Sequence, residues 1–277
     1  MAFEIDCSAS SVQFWSDVRL PFEPKGDARA ARDALRCALH GLAPTGELIA
    51  NYRSVDLQPC DVENVLIYNV GPSHFARLSA QRLRLDRSFD APRVAPSGRQ
   101  FSHHHRYSAG GAQGAGWRRQ RLVGERGFAL PTSFRTSTVW AAARAVAAAD
   151  EEASDSGHLA LDVSFSIGAS SRLRLPSSMK ALLDGVVASF HRHDGSGDSE
   201  ALIGLLSRQV GSSSVLDVHR LLHVGPDALG VRPLLRRLGK AIQWNPADDR
   251  LVAVDVSLAR SEGSAAHCVA KLFDVAA

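Results

Sequence analysis

Lysine is nearly missing from this chain. Of 32 basic residues only Lys25, Lys180, Lys240 and Lys271 are lysine, and the others are arginine. Arginine grips carboxylate and phosphate through a planar fork, where lysine offers a point charge. A GC-rich coding sequence produces the same bias, so the ratio alone assigns no partner. Cysteine is scarce too. Cys7, Cys37, Cys60 and Cys268 are scattered and form no Cys-x-x-Cys pair. That argues against a zinc ribbon, a redox pair or a disulfide scaffold, and leaves reduced core residues of a cytoplasmic protein as the expectation. No run of about 18 apolar residues is present, so neither a transmembrane helix nor a membrane partner is expected. Met1 to Ser11 carries Glu4 and Asp6 and lacks a basic start with an apolar stretch behind it, unlike a secretory leader.

What is there is the composition of a globular protein: 277 residues, 45% hydrophobic, 22% charged, net charge +3. Such a chain can bury one large core or two smaller ones. Two stretches resemble each other. Asp17-Val-Arg-Leu-Pro leads into a helical pattern from Asp27 to Leu42, and Leu161 to Ile167 with Leu173-Arg-Leu-Pro leads into another from Ser177 to His191. Each is followed by a run ending in Val-Gly-Pro, Asp61 to Pro72 in the first half and Asp217 to Pro226 in the second. Both runs read as strands closed by a tight turn. The expected fold is therefore α+β, with two similar strand–helix–strand units arising by internal duplication and facing each other about a pseudo-twofold axis. Residues 1–90 would form the first unit, 91–155 a basic Gly/Arg-rich segment plus an alanine-rich helix, and 156–277 the second unit.

Other elements follow from periodicity. Met179, Leu182, Leu183, Val186, Val187 and Phe190 make one apolar helical stripe, with Ser177 or Ser178 as cap. Asp27 would cap the first helix, Asp198 would cap a helix through Val210, and Pro233 would start one ending at Gly239. Leu159 to Ile167 and Arg82 to Phe89 alternate as strands. Leu251 to Leu258 and Cys268 to Phe273 alternate too and read as a hairpin.

Ala91 to Gly124 reads as a long loop. It has no Asp or Glu and six arginines, so it carries +6 and leaves −3 for the rest of the chain. Arg93, Arg99, Arg106, Arg118, Arg119 and Arg121 are interleaved with Phe101, Tyr107 and Trp117. Positive charge with stacking rings suits DNA or RNA. The candidate nucleic-acid-binding set is Arg93, Arg99, Arg106, Tyr107, Trp117, Arg118, Arg119 and Arg121. His103, His104 and His105 are adjacent and lack a partner at zinc spacing, so no metal site is assigned to them. Gly110 to Gly116 has the composition of a phosphate loop without a preceding hydrophobic strand. His191-Arg-His-Asp reads as the end of a helix rather than a metal cluster.

Carboxylates supply the candidate catalytic residues. Asp61 and Glu63 precede Asn64, and Asp248 and Asp249 precede a strand; oxygen ligands at strand mouths suit Mg²⁺ and phosphate substrates. Leu159 to Ile167, Lys180-Ala-Leu-Leu-Asp-Gly-Val and Asp248-Asp-Arg-Leu-Val-Ala-Val-Asp-Val together resemble the RusA-type Holliday-junction resolvases. In that family an Asp-x-Asp-Asn precedes a helix bearing a lysine and a Leu-Leu-Asp run, and an Asp-Asp opens the next strand. The resemblance implies a homodimeric Mg²⁺-dependent enzyme acting on branched DNA. In this chain the helix positions four and six residues before Lys180 are Pro176 and Arg174, while Asp61-Val-Glu-Asn has Ile67 at the lysine position. No single unit holds the full set, which implies a fused pseudo-dimer with its nuclease activity lost.

Three functions are thus expected, in order: non-catalytic nucleic-acid or polyanion binding through the basic segment, a structural or protein-interaction role in a larger assembly, and a Mg²⁺-dependent RusA-like nuclease. No cofactor is expected except Mg²⁺ in the third.

Overall fold

A computed structural model describes the chain except residues 111–116, 148–152, 170, 172, 198–199, 212–213, 262–264 and 277. In chain order the elements are β1 (Phe3–Cys7), β2 (Ser11–Ser16), α1 (Asp27–His40), β3 (Glu47–Arg53), a π-helical turn (Asn64–Tyr68), β4 (Arg82–Ser88), β5 (His103–Ala109), β6 (Arg118–Ala129), α2 (Thr136–Arg144), β7 (Leu159–Gly168), α3 (Leu175–Ala188), β8 (Arg192–His193), α4 (Glu200–Val210), α5 (Val215–His223), β9 (Val231–Arg232), β10 (Leu235–Leu238), β11 (Ala241–Trp244), β12 (Leu251–Ser261) and β13 (His267–Ala276). The fold is α+β. Among the described residues no helix is long and apolar enough to cross a membrane.

Nine strands form one mixed sheet in the order β1-β2-β5-β3-β4-β12-β7-β13-β6. At its centre β4 runs antiparallel to β12. Outward from β4, β3 is parallel to it, β5 antiparallel to β3, and β2 antiparallel to β5. Outward from β12, β7 is parallel to it, β13 antiparallel to β7, and β6 antiparallel to β13.

The large core lies on one face of this sheet. Leu48, Leu83, Leu85, Leu161, Val163 and Val254 point into it from the strands, and Leu35, Leu39, Leu66, Met179, Leu183 and Val186 from the helices. Strand alternation and helical periodicity converge on the same cluster, so hydrophobic burial fixes which face the helices cover. The opposite face carries cross-strand ion pairs, among them Arg82–Asp255 at 2.6 Å and Arg119–Asp162. A second cluster around Trp140, Leu202, Leu206 and Leu222 packs α2, α4 and α5 together with the β10–β11 hairpin.

Several expectations need correction. Asp61 to Pro72 is helical rather than a strand. The Val65 amide donates to the Asp61 carbonyl at 3.2 Å, and the amide of Asn69 reaches back to the Asn64 carbonyl at 2.8 Å, the bonds of a helical turn rather than of a strand. Asp217 to Pro226 begins inside α5, whose Val218 and Leu222 face the core and whose N-terminus is capped by the Ser214 hydroxyl. Val-Gly-Pro therefore ends a helical segment in both places, with Gly71 at φ 119° and Gly225 at φ 108°.

β12 and β13 are not a hairpin, because β7 lies between them and pairs with both. Residues 235–238 form a strand instead of a helix. Arg174, not Ser177 or Ser178, precedes α3, and Gly26, not Asp27, precedes α1. The Asp198 cap and the glycine run 111–116 lie outside the described residues. Of the four cysteines only Cys268 is buried.

The basic segment is not one loop, since β5 falls within it, β6 begins in it, and the two sit at distant places in the sheet. Its pattern is hidden because the buried positions of β5 are His103, His104, His105, Tyr107 and Ser108. Desolvation holds His104 down to about 4 and His105 to about 3, so both behave as neutral aromatic rings. His104 stacks on Trp15 with ring centres 4.7 Å apart.

Candidate carboxylate–lysine site

Four carboxylates converge on one ammonium. Lys180 Nζ lies 3.1 Å from Asp61 Oδ2, 3.0 Å from Glu63 Oε1, 2.8 Å from Asp248 Oδ2 and 2.9 Å from Asp184 Oδ1. An ammonium has three protons to donate, so four acceptors exceed its capacity. Charge is out of balance as well, with four acids against one base.

Each side chain is delivered by a distinct local device. Asp61 precedes the π-helical turn; its carbonyl accepts from the Val65 amide and its carboxylate accepts from the Asn64 side chain. The loop before it is tied down by Arg87 of β4, which donates to the carbonyls of Asp56, Gln58 and Cys60. Lys180 and Asp184 are four residues apart on α3 and so share one face. Asp248 sits in a 3₁₀ turn, Asp248–Arg250, leading straight into β12. Since β3 is parallel and β12 antiparallel to β4, the end of β3 and the start of β12 lie at the same edge of the sheet.

Tyr68 joins the two halves of the site. Its hydroxyl accepts from the Lys180 amide at 2.8 Å and donates to the Pro176 carbonyl at 3.2 Å. Those are the two groups that an α-helix pairs directly, so a side chain from the π-helical turn is inserted into the first turns of α3. Burial pushes the Tyr68 phenol up to about 12, keeping its proton in place for that bridge.

Burial dominates the electrostatics. It raises Glu63, which is fully buried, to about 8, against the pull of Lys180. It raises Asp184 to about 7, with Lys180 opposing and Asp248 adding to the rise. Asp61 is raised by burial and by Asp248. Burial alone would lower Lys180, but the surrounding carboxylates outweigh it and hold the ammonium above its ordinary value. Glu63 Oε2 is buried without a hydrogen-bond partner. Buried oxygens in that condition take up a proton or a cation.

The cluster is accessible. A cleft of about 650 Å³ is bounded by Asp61, Lys180, Asp184, Asp248 and Asp249 on one side and by Arg232, Gln243, Trp244 and Asn245 on the other. A second cleft of about 630 Å³ meets it at Pro59, Asp61, Asn64 and Lys180, and extends toward Arg19 and Phe22. Asp61, Glu63 and Asp248 each present an oxygen within 4.8 Å of the others, an arrangement able to hold a metal ion. Three carboxylates with surplus negative charge fit a hard divalent cation such as Mg²⁺.

Of the sequence-derived acids, three therefore meet at one point. Asp249 lines the same cleft without joining the cluster. Sequence reading left Lys180 and Asp184 out of the candidate set, although their spacing from each other was visible. The basic candidates disperse. Tyr107 is fully buried, its hydroxyl donating to the Leu66 carbonyl at 2.9 Å. Trp117 packs against Phe89 and His158. Arg119 is paired with Asp162 and Arg121 with Asp274. Arg99 stacks over Phe101, and Arg106 is half-buried. Arg93 and Arg118 are exposed. No family model matches the chain, and no curated protein matches it.

Proposed function

We propose that the protein is a Mg²⁺-dependent nuclease whose site is built from Asp61, Glu63 and Asp248 with Lys180. The observation that carries this is their convergence in an open cleft from segments up to 187 residues apart. A divalent cation held there would polarise a phosphate oxygen and lower the pKa of a bound water. Asp61, Glu63 and Asp248 would ligate it and lose their protons in doing so. Lys180, displaced from the centre but still tethered to Asp184, would place positive charge beside the phosphate. Asn64 and Tyr68 orient Asp61 and Lys180.

The RusA-type resemblance gains support from the same geometry. Asp61-Val-Glu-Asn leads into the helical turn Asn64–Tyr68, and the helix carrying Lys180-Ala-Leu-Leu-Asp is joined to that turn through Tyr68. The acids missing from α3 are supplied by the first half of the chain. The strand arrangement supports descent from a duplicated unit. From the central β4–β12 pair, each half repeats a parallel neighbour followed by two antiparallel ones. In chain order β2, α1, β3, β4, β5 corresponds to β6, α2, β7, β12, β13, so α1 matches α2 rather than α3. A pseudo-dimer of this kind would hold one complete site.

The test is cleavage of labelled four-way junction, duplex, single-stranded DNA and RNA with and without Mg²⁺. Mg²⁺-dependent cleavage, lowered at least about 100-fold by Asp61→Asn or Asp248→Asn in folded protein, is the expected result. Intact substrates at high protein concentration, or cleavage unchanged in Asp248→Asn, would contradict the proposal.

A further inference from the structure

An acidic site repels the phosphates it must act on unless a basic surface stands beside it. The stretch Ala228 to Ala247 has no Asp or Glu and carries Arg232, Arg236, Arg237 and Lys240. It contains the β10–β11 hairpin, in which Arg236 faces Gln243 and Arg237 faces Ile242. Arg236 donates to the Gln243 side chain at 2.8 Å and Arg237 to the Gly239 carbonyl at 2.9 Å, so their hydrogen bonds go to neutral groups. Arg236, Arg237 and Lys240 are exposed.

The hairpin is rigidly mounted on the cleft. Leu235 is buried in the second core, and Ile242 and Trp244 pack against it. Trp244 lies 5.3 Å from Trp140 of α2, ring centre to ring centre. The same strand also lines the carboxylate cleft through Ile242, Gln243 and Trp244, with Arg232 alongside. The cleft thus has carboxylates on its floor and Arg232 in its wall, and the exposed Arg236, Arg237 and Lys240 belong to the hairpin whose second strand forms that wall.

We infer that the β10–β11 hairpin is the nucleic-acid backbone clamp of this protein, with Arg232, Arg236, Arg237 and Lys240 contacting phosphates and holding a strand across the carboxylate cluster. This inference rests on the nuclease reading for its substrate class. A two-stranded ribbon of this kind fits a nucleic-acid groove, and each phosphate contact makes affinity steeply salt-dependent.

The test separates the clamp from the chemistry. Binding of fluorescent four-way junction and duplex DNA is measured against salt in EDTA, for the whole protein and for the triple variant Arg236→Ala, Arg237→Ala, Lys240→Ala. Mn²⁺ binding is titrated on the same proteins after the EDTA is removed. The expected result is at least about tenfold weaker DNA binding, with the slope of log affinity on log salt reduced by about 2 to 3, and Mn²⁺ binding unchanged. Arg236→Lys with Arg237→Lys should retain most affinity, which separates charge from folding. Equal affinity and slope in the triple variant would overturn the clamp even if Mg²⁺-dependent cleavage persists. Loss of DNA binding in the triple variant with no cleavage by the native protein would leave the clamp standing and remove the nuclease reading. Failure of the native protein to bind any nucleic acid would overturn both.

Discussion

Glu63 ties stability to pH and, in the proposed site, to cation binding. It is buried among three other acids, and burial lifts it from about 4.5 to about 8. Its folded pKa lies above the unfolded one, so its contribution to stability is complete below about 4.5 and is lost as pH rises through about 8. Glu63→Gln removes that loss. In metal-free protein the variant should melt higher than the native chain at pH 8.5, and added Mg²⁺ should no longer raise its melting temperature. A lower melting temperature at that pH, with Mg²⁺ stabilisation retained, would contradict the assignment.

His104 has the opposite sign. Desolvation depresses it to about 4, so its contribution is complete above the unfolded value of 6.5 and is lost as pH falls toward 4. His104→Phe keeps a ring against Trp15 and abolishes the titration. Chemical denaturation between pH 6.5 and 4 should show a shallower decline in stability, by up to about 1.4 kcal/mol per pH unit. An unchanged slope would mean the imidazole takes up its proton in the folded state.

At the scale of elements, the decisive contact is between α2 and α3. A Cβ at Gly185 would sit 2.8 Å from the Thr136 carbonyl oxygen and 2.8 Å from the Val139 Cβ. The two helices meet at glycine because nothing larger fits. Gly185→Ala should cost about 1 to 3 kcal/mol through forced separation of packed backbone. Because Asp184 precedes it and Lys180 lies just over a turn earlier, the variant should also weaken metal binding. Thermal melts and Mn²⁺ titration of the same sample check both, and normal stability would show that α2 can yield.

The legibility of these elements in the sequence was uneven. The stripe from Met179 to Phe190 marks α3 plainly, because its apolar spacing is helical. Asp61 to Pro72 misleads: Val62, Val65, Leu66, Ile67 and Val70 are buried together, and a short apolar run buried on several sides has no readable period. The hairpin at 235–244 is obscured by Pro233 and by the leucine–arginine pattern Leu234-Leu-Arg-Arg-Leu, which suits either element. β5 is obscured by its histidines, which count as polar in a sequence and behave as core here.

At the scale of the molecule, the site belongs to the junction of two half-sheets. Asp61 and Glu63 come from the side of β3 and β4, and Lys180, Asp184 and Asp248 from the side of β7 and β12. Sequence reading found the spelling Asp-Val-Glu-Asn, the lysine helix and the Asp-Asp pair separately. Their union depends on the antiparallel β4–β12 register, a contact between segments about 170 residues apart that no local pattern encodes. The strongly basic segment drew attention for its charge, yet much of that charge is spent on Asp162 and Asp274 across the sheet.

In the proposed site Asp61, Glu63 and Asp248 hold a divalent cation. Metal-free protein titrated with Mn²⁺ and followed by electron paramagnetic resonance, beside Asp248→Asn, tests this. Saturable binding to the native chain, competed by Mg²⁺ and lost in the variant, is expected. Absence of binding to the native chain, or equal binding in Asp248→Asn, would contradict it.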